Sequence, residues 1–210
     1  MGEYQTYFKS GDKQMLRFAP LAEIRRIRGA IKEPLAIVGV LADIVRLNAL
    51  YMIMRAGSGH IGSTFSSADI ITWLWAQEMF NPNEFDASHF DTYFSSKGHD
   101  VPALYSLLIS LEKLPFENIH KLRRLGGLPG HPDVQTPYIA ANTGALGMGI
   151  SKARGMAIAN RLLGKKGNFY VLTGDGELQE GAFWESLQPT ANNKFSEITV
   201  IVDHNKIQSD

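Results

Sequence analysis

Cysteine is absent from the chain, which excludes a disulfide scaffold, thiolate metal ligands and a cysteine nucleophile, and fits a reducing compartment. There is no excess of charge of either sign, because 21 Lys and Arg balance 21 Asp and Glu. Without a long-range field to gather nucleic acid or an anionic membrane surface, neither is expected as a partner. The opening MGEYQTYFKSGDKQM has no basic stretch followed by an apolar core and a small-residue cleavage site. No secretory signal is read there, and the expected location is cytoplasmic. The longest apolar run, residues 35–54, carries Asp43, Arg46 and Asn48 near its middle, each unfavourable in hydrocarbon, so it reads as a buried or half-buried helix. Fixed-period repeats and low-complexity tracts are also missing.

What is there, 210 residues, is enough for one substantial core. Residues 1–34 are polar, with a basic amphipathic run at Ile24, Arg25, Arg26, Ile27 and Arg28, and are expected to form an N-terminal arm. Pro34 suits the first turn of a following helix. Periodicity predicts helices over 35–55, from Ser66 or Ser67 to about 79, and over 101–113, where Pro102 fits a first turn. It then predicts a helix over 146–163, a strand over 168–173, a helix over 180–192 and a strand over 197–203. Two apolar strands bracketing one helix make a parallel crossover unit, so the fold class is α/β, a parallel sheet flanked by helices. One domain is expected over 35–210.

The first of these strands runs out into Gly174-Asp175-Gly176 and the second into Asp203-His204-Asn205. In a parallel sheet both ends lie on one edge, where ligands bind, so Asp175 and Asn205 can converge although 30 positions separate them. A carboxylate, an amide oxygen and a backbone carbonyl form an all-oxygen set that suits Mg²⁺ and leaves positions for phosphate oxygens and water. Gly174 and Gly176 permit a tight turn with main-chain N–H groups facing phosphates. Taken singly, either motif is also an ordinary turn or strand end. The P-loop pattern is absent, and the glycines of Gly144-Ala145-Leu146-Gly147-Met148-Gly149 have the wrong spacing for a dinucleotide fingerprint.

Three of the six histidines, His60, His99 and His131, directly follow glycine. An imidazole titrates near neutrality and can donate or accept, which suits proton transfer. The same residues also read as loop histidines satisfied by backbone, or as scattered zinc ligands without the usual short spacings. Glu180 opens the 180–192 helix, where a carboxylate is favoured by the helix dipole and can serve as a cap.

GDGELQEG followed by DHNKIQ resembles the thiamine-diphosphate motif of the transketolase family. The resemblance extends across Gly57-Ser58-Gly59-His60, Ser96-Lys97-Gly98-His99, Pro129-Gly130-His131-Pro132 and Thr143-Gly144-Ala145-Leu146-Gly147, in the family's order, from about residue 35 to the end. It implies the thiamine-diphosphate-binding fold. It further implies that the Asp175 and Asn205 side chains and the Ile207 carbonyl hold Mg²⁺, and that Gly174 offers its N–H to the diphosphate. Gly144 and Leu146 would hold the aminopyrimidine and shape the cofactor's bent form. His60 and His131 would face the reacting end of the donor sugar, His99 would lie near the diphosphate and thiazolium, and Glu180 would join a carboxylate network at a dimer interface.

The reaction so implied is transfer of a two-carbon ketol unit from a ketose to an aldose, on sugar or sugar-phosphate substrates. Relatives with another ketose or specialised-sugar reaction, and a non-catalytic subunit that has kept the scaffold, stand as alternatives. Nothing in the chain matches the family's pyrimidine-binding domain, and the sequence stops five residues after Asn205. The expectation is a fragment, or the N-terminal subunit of a split enzyme, completed by a pyrimidine-binding subunit or domain in a homodimer or heterotetramer.

Overall fold

The computed structural model describes residues 6–9 and 15–206. They divide into two compact units, one holding residues up to Gln77 together with His99–Gly130, the other Glu78–Gly98 together with the chain from His131 onward.

The first unit is helical apart from a short antiparallel pair, β1 (Thr6–Lys9) and β2 (Met15–Arg17). Helix α1 (Leu21–Ala30) occupies part of the expected arm, and it is anchored: Ile24 is fully buried with Ala19, Leu41 and Ile44. On its outer face Arg25 pairs with Glu112, and Arg28 donates to the Ser110 carbonyl. Helix α2 (Pro34–Ala56) begins where Pro34 predicted, with the Glu33 side chain accepting the Leu35 N–H at 3.1 Å. It ends at Gly57, left-handed at φ 77°, a conformation glycine adopts without a Cβ penalty. Long and apolar enough to cross a bilayer, α2 instead buries Leu41, Val45, Ala49, Tyr51 and Met52 against α3 (Ile61–Trp73) and α4 (Val101–Ser110). Asn48, fully buried, accepts the Ala19 N–H at 2.7 Å through its Oδ1.

Helix α3 starts five residues before Ser66, the earlier of the two positions that the sequence suggested. The serines that look like caps lie inside it: Ser67 returns its hydroxyl to the Ser63 carbonyl at 2.9 Å, and Thr64 does the same to His60. Its last turn passes into a π-helical segment, Leu74–Glu78. Helix α4 buries all ten of its residues and stops at Ser110, three residues before the predicted end.

The second unit is built on a parallel sheet of order β3-β4-β5: β3 (Thr92–Ser95), β4 (Phe169–Gly174) and β5 (Ile198–Asp203). Helix α5 (Gly149–Leu162) precedes β4, and α6 (Gly181–Asn192) links β4 to β5. The α/β class with a parallel sheet therefore holds, and the crossover read from the second half is present. Strand β3 has no counterpart among the elements that periodicity predicts. Its four residues are all buried and do not alternate, so only pairing with β4 makes it a strand. The core joins Phe94, Phe169, Val171, Ala153, Ala157 and Phe195, and each large apolar side chain so buried contributes about 1.5–3 kcal/mol. Gly149 lets α5 approach the sheet, since a Cβ there would lie 2.5 Å from Ser96 Cβ and 2.8 Å from Val171 Cγ1.

Candidate functional site

Strand register brings the motifs to one edge. Ser95 stands opposite Leu172 and Gly174 opposite Asp203, so Ser96, Asp175 and His204 leave the sheet side by side at its carboxyl end. Beyond that edge the Asp175 carboxylate gathers the turn. Its Oδ1 accepts the Gly176 N–H at 3.0 Å, and its Oδ2 accepts the Lys206 N–H at 2.9 Å. The second bond brings the backbone just after Asn205 onto Asp175. His204 Nε2 is 3.9 Å from Asp175 Oδ2, although the imidazole is largely exposed. Ile207 lies outside the described residues.

The neighbouring loops are held by close approaches that only glycine allows. Gly98, at φ 71°, passes so near Thr143 and Gly144 that a Cβ would lie 2.8 Å from the Gly144 nitrogen. Gly144, at φ 136°, faces the ring of His131, whose Cδ2 would be 3.0 Å from an added Cβ. Two residues assigned by resemblance, His131 and Gly144, are thus in contact. The buried Thr143 hydroxyl between these glycines has no hydrogen-bond partner among the described residues. Leu146 is exposed. An orphaned hydroxyl beside a glycine-lined cradle, with a carboxylate and an amide at the sheet edge, fits a polar, phosphate-bearing ligand.

In the other unit His60 precedes the first residue of α3, and its ring lies 4.8 Å from that of His99, tilted by 52°. Gly59 makes this possible, because a Cβ there would meet Ile53 Cγ1 at 2.9 Å. Glu180 occupies the N-cap position of α6, but its exposed side chain makes no cap hydrogen bond. Among the described residues no three His, Asp or Glu side chains gather as a metal-ligand group; the oxygen set expected for Mg²⁺ contains a single carboxylate.

Sequence reasoning passes over three residues here. Lys97 and Asp203 form a buried ion pair, Nζ to Oδ2 2.7 Å. Glu177, 2% exposed, accepts the Ser96 hydroxyl and the Gly147 N–H (2.7 Å) on Oε1, and the Gly174 N–H at a long 3.3 Å on Oε2. The N–H that resemblance assigns to the diphosphate is therefore held within the protein in this structure. Glu177 stands between two recognised motif glycines and an exposed-looking helix start, and no periodicity marks it for burial.

A family model described as "Transketolase, thiamine diphosphate binding domain" matches residues 38–210. One of the two subunits that make up an apulose-4-phosphate transketolase in Actinobacillus succinogenes is 39% identical over 168 residues, covering 79% of this chain and 59% of that protein. Transketolase 1 of Saccharomyces cerevisiae is 36% identical over 178 residues, covering 79% of this chain and 26% of its own length. A crystal structure of transketolase from Campylobacter jejuni superimposes with a TM-score of 0.74 at 30% identity, over 85% of this chain and 29% of that one. The chain thus spans about three-fifths of the subunit-type relative and little more than a quarter of the long ones. With most of its length matched, from Val38 through the sheet-edge motifs, the chain belongs to the transketolase family and carries its thiamine diphosphate binding domain.

Proposed function

We propose that this chain supplies the diphosphate-binding part of a ketol transferase, which moves a two-carbon unit from a ketose donor to an aldose acceptor. The observation that supports it most is the 2.9 Å hydrogen bond from the Lys206 N–H to Asp175, which joins the ends of β4 and β5 at one rim. The Asp175 and Asn205 side chains, with the Ile207 carbonyl, would hold Mg²⁺ through oxygen alone. Gly174 and Gly176 line the adjoining turn with main-chain N–H groups, and His99 would lie near the same diphosphate. Gly144 and Leu146 would hold the aminopyrimidine, with the Thr143 hydroxyl free to bond to it. Bound thiamine diphosphate supplies the carbanion chemistry. His60 and His131 would hold and move protons at the carbonyl and hydroxyl oxygens of the sugar.

A pyrimidine-binding subunit or domain would complete the site, in a homodimer or heterotetramer, a reading supported by the relatives that are named as transketolase subunits rather than whole enzymes. Glu180, exposed and not used as a cap, is available to meet such a partner. A specialised ketose or ketose phosphate is favoured as donor, since subunit-type relatives bear such names. The cysteine-free composition suits a cytoplasmic setting, and we divide the chain into an arm to residue 34 and a diphosphate-binding domain from 35. Calorimetric titration of the complete enzyme with thiamine diphosphate tests this reading. Binding should require Mg²⁺ and be abolished by Asp175→Ala or Asn205→Ala; undiminished binding in both variants would overturn it.

A further inference from the structure

The carboxylate of Glu177 touches three separate stretches of chain: the end of β3 at Ser96, the turn before α5 at Gly147, and the end of β4 at Gly174. It is 2% exposed, and a buried carboxylate is tolerated only where donors replace its lost water. Here the two nearer donors converge on one oxygen, Oε1, and the third approaches Oε2 at 3.3 Å. The stretches so joined are the ones assigned to the cofactor. Gly147 directly follows Leu146 and lies three residues after Gly144, while Gly174 directly precedes Asp175.

Gly147 has little freedom to move without the tie. It is left-handed at φ 80°, and a Cβ there would come within 2.8 Å of Glu180 Cβ and 3.3 Å of the Phe183 nitrogen. Its N–H, held at 2.7 Å by Glu177, thus sets where the 144–147 loop ends relative to the GDG turn.

We propose that Glu177 is a positioning residue for the thiamine diphosphate site, fixing the segment that carries Gly144 and Leu146 against the turn that carries Asp175. This rests on the function proposed above. The fixing is done by Oε1, through Ser96 and Gly147, so an uncharged side chain with a carbonyl oxygen in the same place can do most of it. An apolar side chain of similar volume cannot.

The test uses the complete enzyme that contains this chain, with Glu177→Met and Glu177→Gln compared with wild type. Two readouts are needed: the dissociation constant for thiamine diphosphate with Mg²⁺, and amide hydrogen exchange of peptides covering Gly147 in the cofactor-free protein. Glu177→Met should weaken cofactor binding by roughly ten- to a hundredfold, as loss of an orienting partner does at other bound-ion sites, and should speed exchange at Gly147. Glu177→Gln should restore both to within about threefold of wild type, since its carbonyl oxygen still accepts from Ser96 and Gly147. Wild-type affinity in Glu177→Met despite faster exchange would overturn the proposal, and so would a Gln variant as impaired as the Met one. Should Glu177→Met fail to fold, Ser96→Ala carries the test: removal of one donor to Oε1 should weaken binding by about threefold, and no change would overturn it. Failure of the wild-type enzyme itself to bind the cofactor would overturn the thiamine diphosphate reading instead, a result distinct from any difference between variants.

Discussion

Lys97, two residues past the end of β3, reaches across the end of β4 to Asp203 at the end of β5, with Nζ 2.7 Å from Oδ2 and both side chains more than nine-tenths buried. The lysine stem runs beneath Gly174, where an added Cβ would lie 3.1 Å from Lys97 Cδ. One ion pair therefore spans the strand that carries the GDG turn. Removing one member of a buried pair leaves the other charge uncompensated, which costs about 3–5 kcal/mol, whereas replacing both by apolar residues is near neutral. Lys97→Met should lower the unfolding temperature steeply, and Lys97→Met with Asp203→Leu should recover most of the loss in scanning calorimetry. Equal loss in the single and double variants would show that the pair contributes little.

Two glycines make an opposed pair of predictions. Gly98 is left-handed, and a Cβ there meets the Thr143–Gly144 backbone at 2.8 Å, so Gly98→Ala should destabilise by more than the ~1–2 kcal/mol of the backbone conformation alone. Gly155, inside α5, has nothing within 4 Å of an added Cβ. There the smaller conformational freedom of alanine should stabilise by about 0.5–1 kcal/mol. Denaturant unfolding of the two variants should shift in opposite directions.

His120 gives the first unit a dependence on acid. Its Nδ1 is 2.8 Å from the Tyr51 hydroxyl, and its ring packs edge-on against Phe18 and Tyr51. Burial, aided by the Arg55 and Lys121 charges and opposed by Glu117, holds its pKa below the ordinary 6.5. The unfolded chain therefore takes up this proton first as pH falls. The associated stability is fully present above about pH 6.5 and is lost as pH drops from there through the lowered folded value. Urea midpoints measured from pH 7.5 downward should fall less steeply in His120→Phe than in wild type; parallel curves would rule out His120 as a source.

Glu180→Ala separates a cap from a contact residue. Because the side chain is exposed and makes no cap hydrogen bond, its loss should change the stability of this chain alone by less than about 0.5 kcal/mol. A drop of ~1 kcal/mol or more would reinstate the capping role.

The crossover from β4 through α6 to β5 was legible from order and periodicity, because two apolar runs bracketing an amphipathic one have few ways to be buried. Asp175 and Asn205 could be put on one edge for the same reason, since parallel strands end together. The start of α3 was not legible. Serine hydroxyls that serve as caps in one setting return to the preceding turn in another, and local sequence does not distinguish the two.

By itself the sequence determined the α/β class, the pairing of the GDG and DHN motifs, and the glycine-lined loops, because each depends on local pattern or on strand direction alone. Only the tertiary structure decided that β3 is a strand, that Lys97 pairs with Asp203, and that Glu177 is buried beneath the turn rather than solvated. Those three depend on residues about 70 to 110 positions apart meeting at one sheet edge. A charge becomes buried only where folding brings its donors to it, and no local pattern records where they will come from.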